Sequence, residues 1–268
     1  MFTWLVALLP EPLKIGLRGI LAPIIGTRVA KNWKSAVSGS SGYQSPRTIS
    51  TIAGSDPVID RGTIKQNFLG SRYLQVASAI LSGLDPEKLK SGTTIRVLDV
   101  GGALGQYFYL LRDNVPNLKF EWLILETPAL CQLGESQHVD HPGISWTYAL
   151  NDSSQTFDIV LLSGMIQYVE KPFEFLEMVM QKAQLLIFNR LPLSTKAHNL
   201  VCIQRPGLFE SKGSYPVHIF SEQLFIAYLL ARGQISSRWH VPEDVTVVRF
   251  HKTINQGLTF RPNTSTAV

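Results

Sequence analysis

The residues best placed for chemistry lie in one short stretch and at one carboxylate beyond it. Ile95-Arg-Val-Leu-Asp-Val-Gly-Gly-Ala-Leu-Gly-Gln-Tyr107 reads as an apolar strand (95–100), a glycine-rich turn (101–105) and a helix start. Gly101, Gly102 and Gly105 permit a tight turn and let a ligand approach the backbone. Glu126 closes a second apolar run, 120–126, and stands 21 residues after Gly105. An acidic residue at roughly that distance, about 20 residues on, grips ribose hydroxyls in doubly wound folds.

Asp99 stands two residues before Gly101, at the mouth of the first strand. A carboxylate there repels a dinucleotide pyrophosphate and attracts a ligand carrying an ammonium and a sulfonium. S-adenosylmethionine is such a ligand, and a nicotinamide dehydrogenase is disfavoured.

The elements that must position these groups follow in order. Residues 120–126, 144–148, 157–163 and 184–190 read as further apolar strands. Helical spacing covers 107–114, the stretch opening at Thr127-Pro128, and Glu170-Lys-Pro172 through Lys182. Repeated strand and helix alternation predicts an α/β fold, a doubly wound, mostly parallel Rossmann-like sheet. Ser163-Gly164 and Gln167-Tyr168 follow the fourth strand, and Arg190 ends the fifth; active-site groups gather at such carboxyl ends. Residues 191–214 read as a long irregular connection, and long loops on this side are usually functional. Ser221 is placed as the cap of a helix ending near Arg232-Gly233, and 235–240 and 245–252 read as two late strands forming an antiparallel edge pair.

Ahead of this sheet, 1–92 reads as an apolar arm and a helical cap, with 93–268 as the cofactor-binding domain. The cap is expected to carry a helix over 62–81, and Trp33 and Tyr43 read as packing in the core of the cap, with a lid over the pocket as the alternative. The apolar run 2–9 is far short of the ~20 residues that span a bilayer. Leu17, Ile20, Leu21 and Ile24, with Lys14, Arg18 and Arg28 nearby, suit peripheral contact with a membrane surface. Residues 1–60 hold six basic side chains against three acidic ones, which also suits an anionic surface.

Composition narrows the remaining classes. The 268 residues are 45% hydrophobic, with a net charge of +5. That is enough apolar content for a large core, and no nucleic-acid module is recognisable. Cys131 and Cys202 alone form neither a metal cluster nor a disulfide framework, which suits a reducing cytoplasm. The six histidines show no tight ligand spacing, so no metal is expected. His218 is the candidate general base, placed in a loop facing the site.

Taken in order, several motifs resemble a class I S-adenosylmethionine-dependent methyltransferase family associated with bacterial polysaccharide biosynthesis. They are Trp33…Ala36…Ser41-Gly-Tyr43, Leu98-Asp-Val-Gly-Gly-Ala-Leu-Gly105, Glu126-Thr-Pro128, Asp158…Ser163-Gly…Gln167-Tyr168, Arg190-Leu-Pro192…Gln204 and His218-Ile-Phe-Ser221. The resemblance implies that Gly101, Gly102 and Gly105 wrap the methyl donor. It puts Asp99 toward the donor's methionine part and Glu126 on its ribose, with Ala103 and Ser163 in the cofactor-binding set. The common methyltransferase turn has glycine where this chain has Ala103, which narrows the backbone conformations open there. The implied acceptor is a sugar hydroxyl or related glycan precursor. The alternative is a catalytically idle donor-binding or accessory protein.

Overall fold

The computed structural model describes residues 27–42, 46, 49–50, 71–90, 92–137, 141–152, 154–205, 213–241, 247–248 and 251–263. The apolar arm before Thr27, Tyr43 and the cap between 51 and 70 lie outside the described residues. The elements are β1 (Arg28–Val29), α1 (Trp33–Ser38), α2 (Ser71–Gly83), β2 (Thr94–Val100), α3 (Gln106–Asn114), β3 (Lys119–Leu125), α4 (Pro128–Gln137) and β4 (Ile144–Thr147). They continue with β5 (Phe157–Ser163), α5 (Pro172–Met180), β6 (Ala183–Ser194), β7 (Leu200–Gln204), β8 (Tyr215–Ser221), α6 (Glu222–Leu230) and β9 (Gly233–His240). The last are β10 (Val247–Val248), β11 (His251–Lys252) and β12 (Ile254–Pro262).

The large sheet runs β1-β7-β8-β6-β5-β2-β3-β4, with β12 paired to both β6 and β9. β4, β3, β2, β5 and β6 are parallel neighbours. Strand order reverses at the β2/β5 junction, so the crevice beyond the carboxyl ends of these strands is the place for a ligand.

Both faces of the sheet are covered, which explains the near-continuous apolar strands. On one face Ile95, Val97 and Trp122 pack with Tyr73, Val76 and Ile80 of α2 and with Phe108 and Leu111 of α3. On the other, Leu98, Val100, Val160 and Leu162 pack with Leu176 of α5 and Phe225 and Leu229 of α6. The described part of the cap helix thus shares a core with the sheet. It starts at Ser71, because 62–70 lies outside the described residues.

Two expectations are corrected. The stretch 191–214 is not one irregular loop: β6 continues to Ser194 and β7 forms an antiparallel hairpin with β8. The second late strand is not 245–252 but β12, which fills the sheet between β6 and β9 in antiparallel register. Its alternation is masked by Asn255, Gln256 and Thr259, all buried polar residues. Among the described residues no helix is long and apolar enough to cross a membrane, and no group of metal-ligating side chains forms.

β6 has a special role. β12 occupies one of its edges from Leu186 to Leu193. β5 pairs with the other edge as far as Asn189, and β8 then takes it up at Leu193 and Ser194. The β7–β8 hairpin therefore stands directly beyond the carboxyl end of β5.

Candidate functional site

The glycine turn is held by backbone bonds. Gly101 donates its N–H to the Leu125 carbonyl at 2.9 Å, which ties the turn to the end of β3. Gly101 has φ +72°, and a Cβ on it would lie 2.7 Å from Cγ of Met165 in the loop after β5. Gly105 has φ +82°, and its Cβ would lie 2.4 Å from Cδ1 of Ile144. Ala103 also stands at positive φ, 49°, at a cost on the order of 1–2 kcal/mol. Trp146 offsets that strain by donating its indole N–H to the Ala103 carbonyl at 2.8 Å.

Asp99 lies beneath this turn, 1% exposed. It accepts a hydrogen bond from the indole of Trp122 at 3.1 Å. Gly102 has no room for a side chain because a Cβ would come within 2.5 Å of the Asp99 carboxyl. Burial pushes Asp99 up to about 7, against the Trp122 hydrogen bond, and Glu126 adds to the rise. Its chemistry is thus that of a buried prop whose charge is poised near neutrality.

Glu126 follows β3 and is also buried. Its Oε2 accepts the N–H of Thr127 at 2.8 Å, while Oε1 is buried with no hydrogen-bond partner. Burial raises its pKa; the hydrogen bond from the Thr127 N–H opposes the rise, as does the Ala103 N–H, which lies near the carboxylate without completing a hydrogen bond to Oε1. An unsatisfied buried acceptor costs about 1–3 kcal/mol, which a hydroxyl donor supplied from outside would remove.

Across the crevice, Ser163 closes β5 and joins a polar network absent from the sequence expectation. The hydroxyls of Ser163 and Tyr107 lie 2.9 Å apart. Asn189 Nδ2 donates to both, at 3.2 Å to Tyr107 and 3.4 Å to Ser163. Asn189 Oδ1 accepts from the indole of Trp239 at 3.1 Å. Counting hydrogens, one hydroxyl of the pair donates to the other. Burial pushes Tyr107 up to about 12, despite these hydrogen bonds and the charge of Arg190. The phenol therefore stays protonated.

Arg190 follows Asn189 within β6. The β6–β12 register shifts at Gln256/Leu258, and Arg190 has φ +56°, so β6 carries a bulge there. Bulges re-aim side chains beside active sites. A bulky residue in the left-handed region costs about 1–3 kcal/mol. Gln167 Nε2 donates to the Arg190 carbonyl at 3.3 Å, which helps hold it.

His218 is not in a loop but on β8. Its ring stacks on Trp33 at 4.6 Å and lies 5.8 Å from Phe220. Its Nε2 is 3.2 Å from the Glu170 carbonyl, so that nitrogen carries the proton and donates it. Burial lowers its pKa, with the backbone groups of Glu170 and Val169 opposing. These contacts place it among the cap and hairpin rather than beside Gly101, Glu126 or Ser163, and they spend Nε2 on the backbone. Tyr168 donates to Gln204 at 3.0 Å and packs edge-on against Tyr215 at 5.2 Å. The structure thus brings Asp99, Gly101, Gly102, Ala103, Gly105 and Glu126 together, and the end of β5 sets Ser163 opposite them.

Neither a family model nor a curated protein sequence matches the chain. Among solved structures it is similar to the N-terminal domain of EvdMO1 with SAH bound, at 16% identity, 72% coverage of this chain, 82% of that one, and a TM-score of 0.49. It is also similar to an S-adenosylmethionine-dependent methyltransferase from Clostridium acetobutylicum, at 12% identity, 72% and 91% coverage and a TM-score of 0.46. A third is the magnesium protoporphyrin IX methyltransferase of Synechocystis with bound SAM, at 11% identity, 75% and 85% coverage and a TM-score of 0.46. These are likenesses of fold alone, and the chain's own sheet is mostly parallel and Rossmann-like.

Proposed function

We propose that the protein binds S-adenosylmethionine over the 101–105 turn and transfers its methyl group to a hydroxyl of a sugar or glycan precursor. The observation that carries this reading is the buried, unpartnered Oε1 of Glu126 beside the turn, an acceptor matched to ribose hydroxyls. The turn fits the same group: Gly101 to Ala103 are partly exposed, and side chains at Gly101 and Gly102 would strike Met165 and Asp99. The sugar acceptor is supported by the motif resemblance alone.

When bound, the donor supplies an activated methyl whose bond to sulfur breaks as the acceptor oxygen bonds to it, leaving the thioether and releasing the hydroxyl proton. The chain's work is then chiefly positioning and exclusion of water. Glu126 orients the ribose side. Asp99, once ionised above about pH 7, adds negative potential from beneath the turn, which favours a cationic ligand. Tyr107 and Ser163 form a hydrogen-bonded hydroxyl pair on the facing side.

Calorimetric titration with S-adenosylmethionine, S-adenosylhomocysteine and NAD tests the reading. Binding of the first two and not the third is expected. Binding of NAD alone, or of none by folded protein, sinks it.

A further inference from the structure

We propose that the thinly covered face of the sheet over β3 and β4 binds a small zwitterion, an α-amino acid with an apolar side chain, through Arg96 and Glu121. The site lies on the amino-end half of the strands, away from the crevice at their carboxyl ends, and the inference stands apart from the methyl-donor reading.

The floor of the site exists because one crossover lacks a helix. After β2, β3 and β5 come α3, α4 and α5, whereas β4 ends at Thr147 and β5 starts at Phe157 with no helix between them among the described residues. The cover therefore thins at the β3–β4 edge. On β3, Phe120, Trp122 and Ile124 are buried on one face, while Glu121 is exposed and Leu123 and Leu125 are half-buried on the other. A parallel strand ordinarily has both faces covered. A cavity of about 330 Å³ stands over this floor, room for a small ligand. Its lining combines Leu123 and Phe157 with four polar side chains, Arg96, Glu121, Ser145 and Gln155.

These four polar groups lack strong partners. Arg96 and Glu121 are neighbours in the parallel β2–β3 register, where strands lie about 4.8 Å apart. Opposite charges on neighbouring strands gain by pairing, yet these two form no ion pair with each other or with another described residue. The guanidinium of Arg96 reaches Thr156, Nη2 to Oγ1, at 3.5 Å, the outer limit of a hydrogen bond. On β5, the carboxylate of Asp158 is spent on Lys88 at 3.0 Å and on the Arg96 backbone N–H at 2.8 Å. Glu121, Ser145 and Gln155 make no side-chain hydrogen bond with a described residue.

A guanidinium and a carboxylate side by side, each unmatched, fit a ligand that carries both opposite charges on one α-carbon. Its carboxylate takes two N–H groups of the Arg96 fork. Its ammonium has three donors, which go to Glu121 and the Ser145 hydroxyl. The Gln155 carboxamide can serve either group. The ligand's apolar side chain lies toward Leu123 and Phe157, where burial of apolar surface adds affinity.

NMR titration of the full chain tests the proposal. It follows the Gln155 carboxamide, assigned by its loss in Q155A, and the Arg96 Nε–Hε resonance, assigned by its loss in R96A. L-leucine is the probe. Isocaproate, which is leucine without its ammonium, and isoamylamine, which is leucine without its carboxylate, are the controls. Leucine should shift both resonances and bind about tenfold tighter than either control, because each control keeps only one of the two charged contacts. R96A and E121A, followed through Gln155, should each lower leucine affinity about tenfold. Both side chains are exposed, so the variants should melt within about 2 °C of wild type. No shift with leucine, equal binding of either control, or leucine affinity retained in R96A or E121A overturns the proposal.

Discussion

The turn after β2 and the bulge in β6 both place irregular backbone in the crevice, and they are stabilised in different ways. The turn is packed from below. Asp99, Ile144 and Trp146 pack against it, Trp122 holds Asp99, and Met165 stands against Gly101. Its glycines are required by those neighbours as much as by any ligand. The bulge is held from the side, by the carboxamide of Gln167 and the strands that flank β6. The first is a closely packed cradle. The second is a device for pointing a single long side chain.

That contrast gives a ranked set of tests. Gly101→Val should do most damage, because φ +72° and the 2.7 Å approach to Met165 both oppose a branched side chain. Titration should show donor affinity reduced about 100-fold or more; affinity near wild type would mean that the turn is not the donor site. Glu126→Gln keeps the shape but replaces a charged acceptor with a neutral one. A loss of about tenfold in donor affinity is expected by the same measurement, and no change would leave Oε1 without a ligand role.

Asp99 supplies a test that needs no ligand. The folded state keeps its proton up to about pH 7, whereas the ordinary value is 3.8. Between those values the native state binds more protons than the unfolded one, so stability falls as pH rises, by up to about 4 kcal/mol, and levels off above pH 7. Denaturation at pH 5 and pH 8 should show this slope in the wild type and a flatter one in Asp99→Asn. Identical slopes would show that the carboxyl is not protonated under the turn.

His218→Ala should have the smallest effect on chemistry. It removes a stacked ring at the cap, worth about 1 kcal/mol of stability, and should leave donor affinity unchanged. Turnover should stay within about threefold. A far larger loss, with donor affinity intact, would restore it as the base.

The cradle was legible in the sequence because each part has a local signature. Glycines punctuate an apolar strand, and Glu126 ends another at a set distance. The bulge has no such signature, since Arg190 is an arginine in a conformation glycine usually takes. Asn189 did carry a hint, as a polar residue ending an apolar run. Its partners Tyr107 and Trp239 come from α3 and β9, and only the folded sheet brings them together. The loop placement of His218 failed because Pro216 and the preceding glycine and serines read as loop, whereas pairing with β7 makes that stretch a strand. β12 was hidden for a related reason: its polar residues are buried between two strands, which breaks the alternation by which a half-exposed strand is recognised.

The indole hydrogen bonds have an optical consequence. Of five tryptophans in the chain, Trp122 bonds Asp99, Trp146 bonds the Ala103 carbonyl and Trp239 bonds Asn189. Emission from these rings depends on the charge beneath the turn, the pose of the turn and the network at β5. The crevice is thus wired to its own fluorophores, and unlabelled protein can report events on either side by colour and intensity.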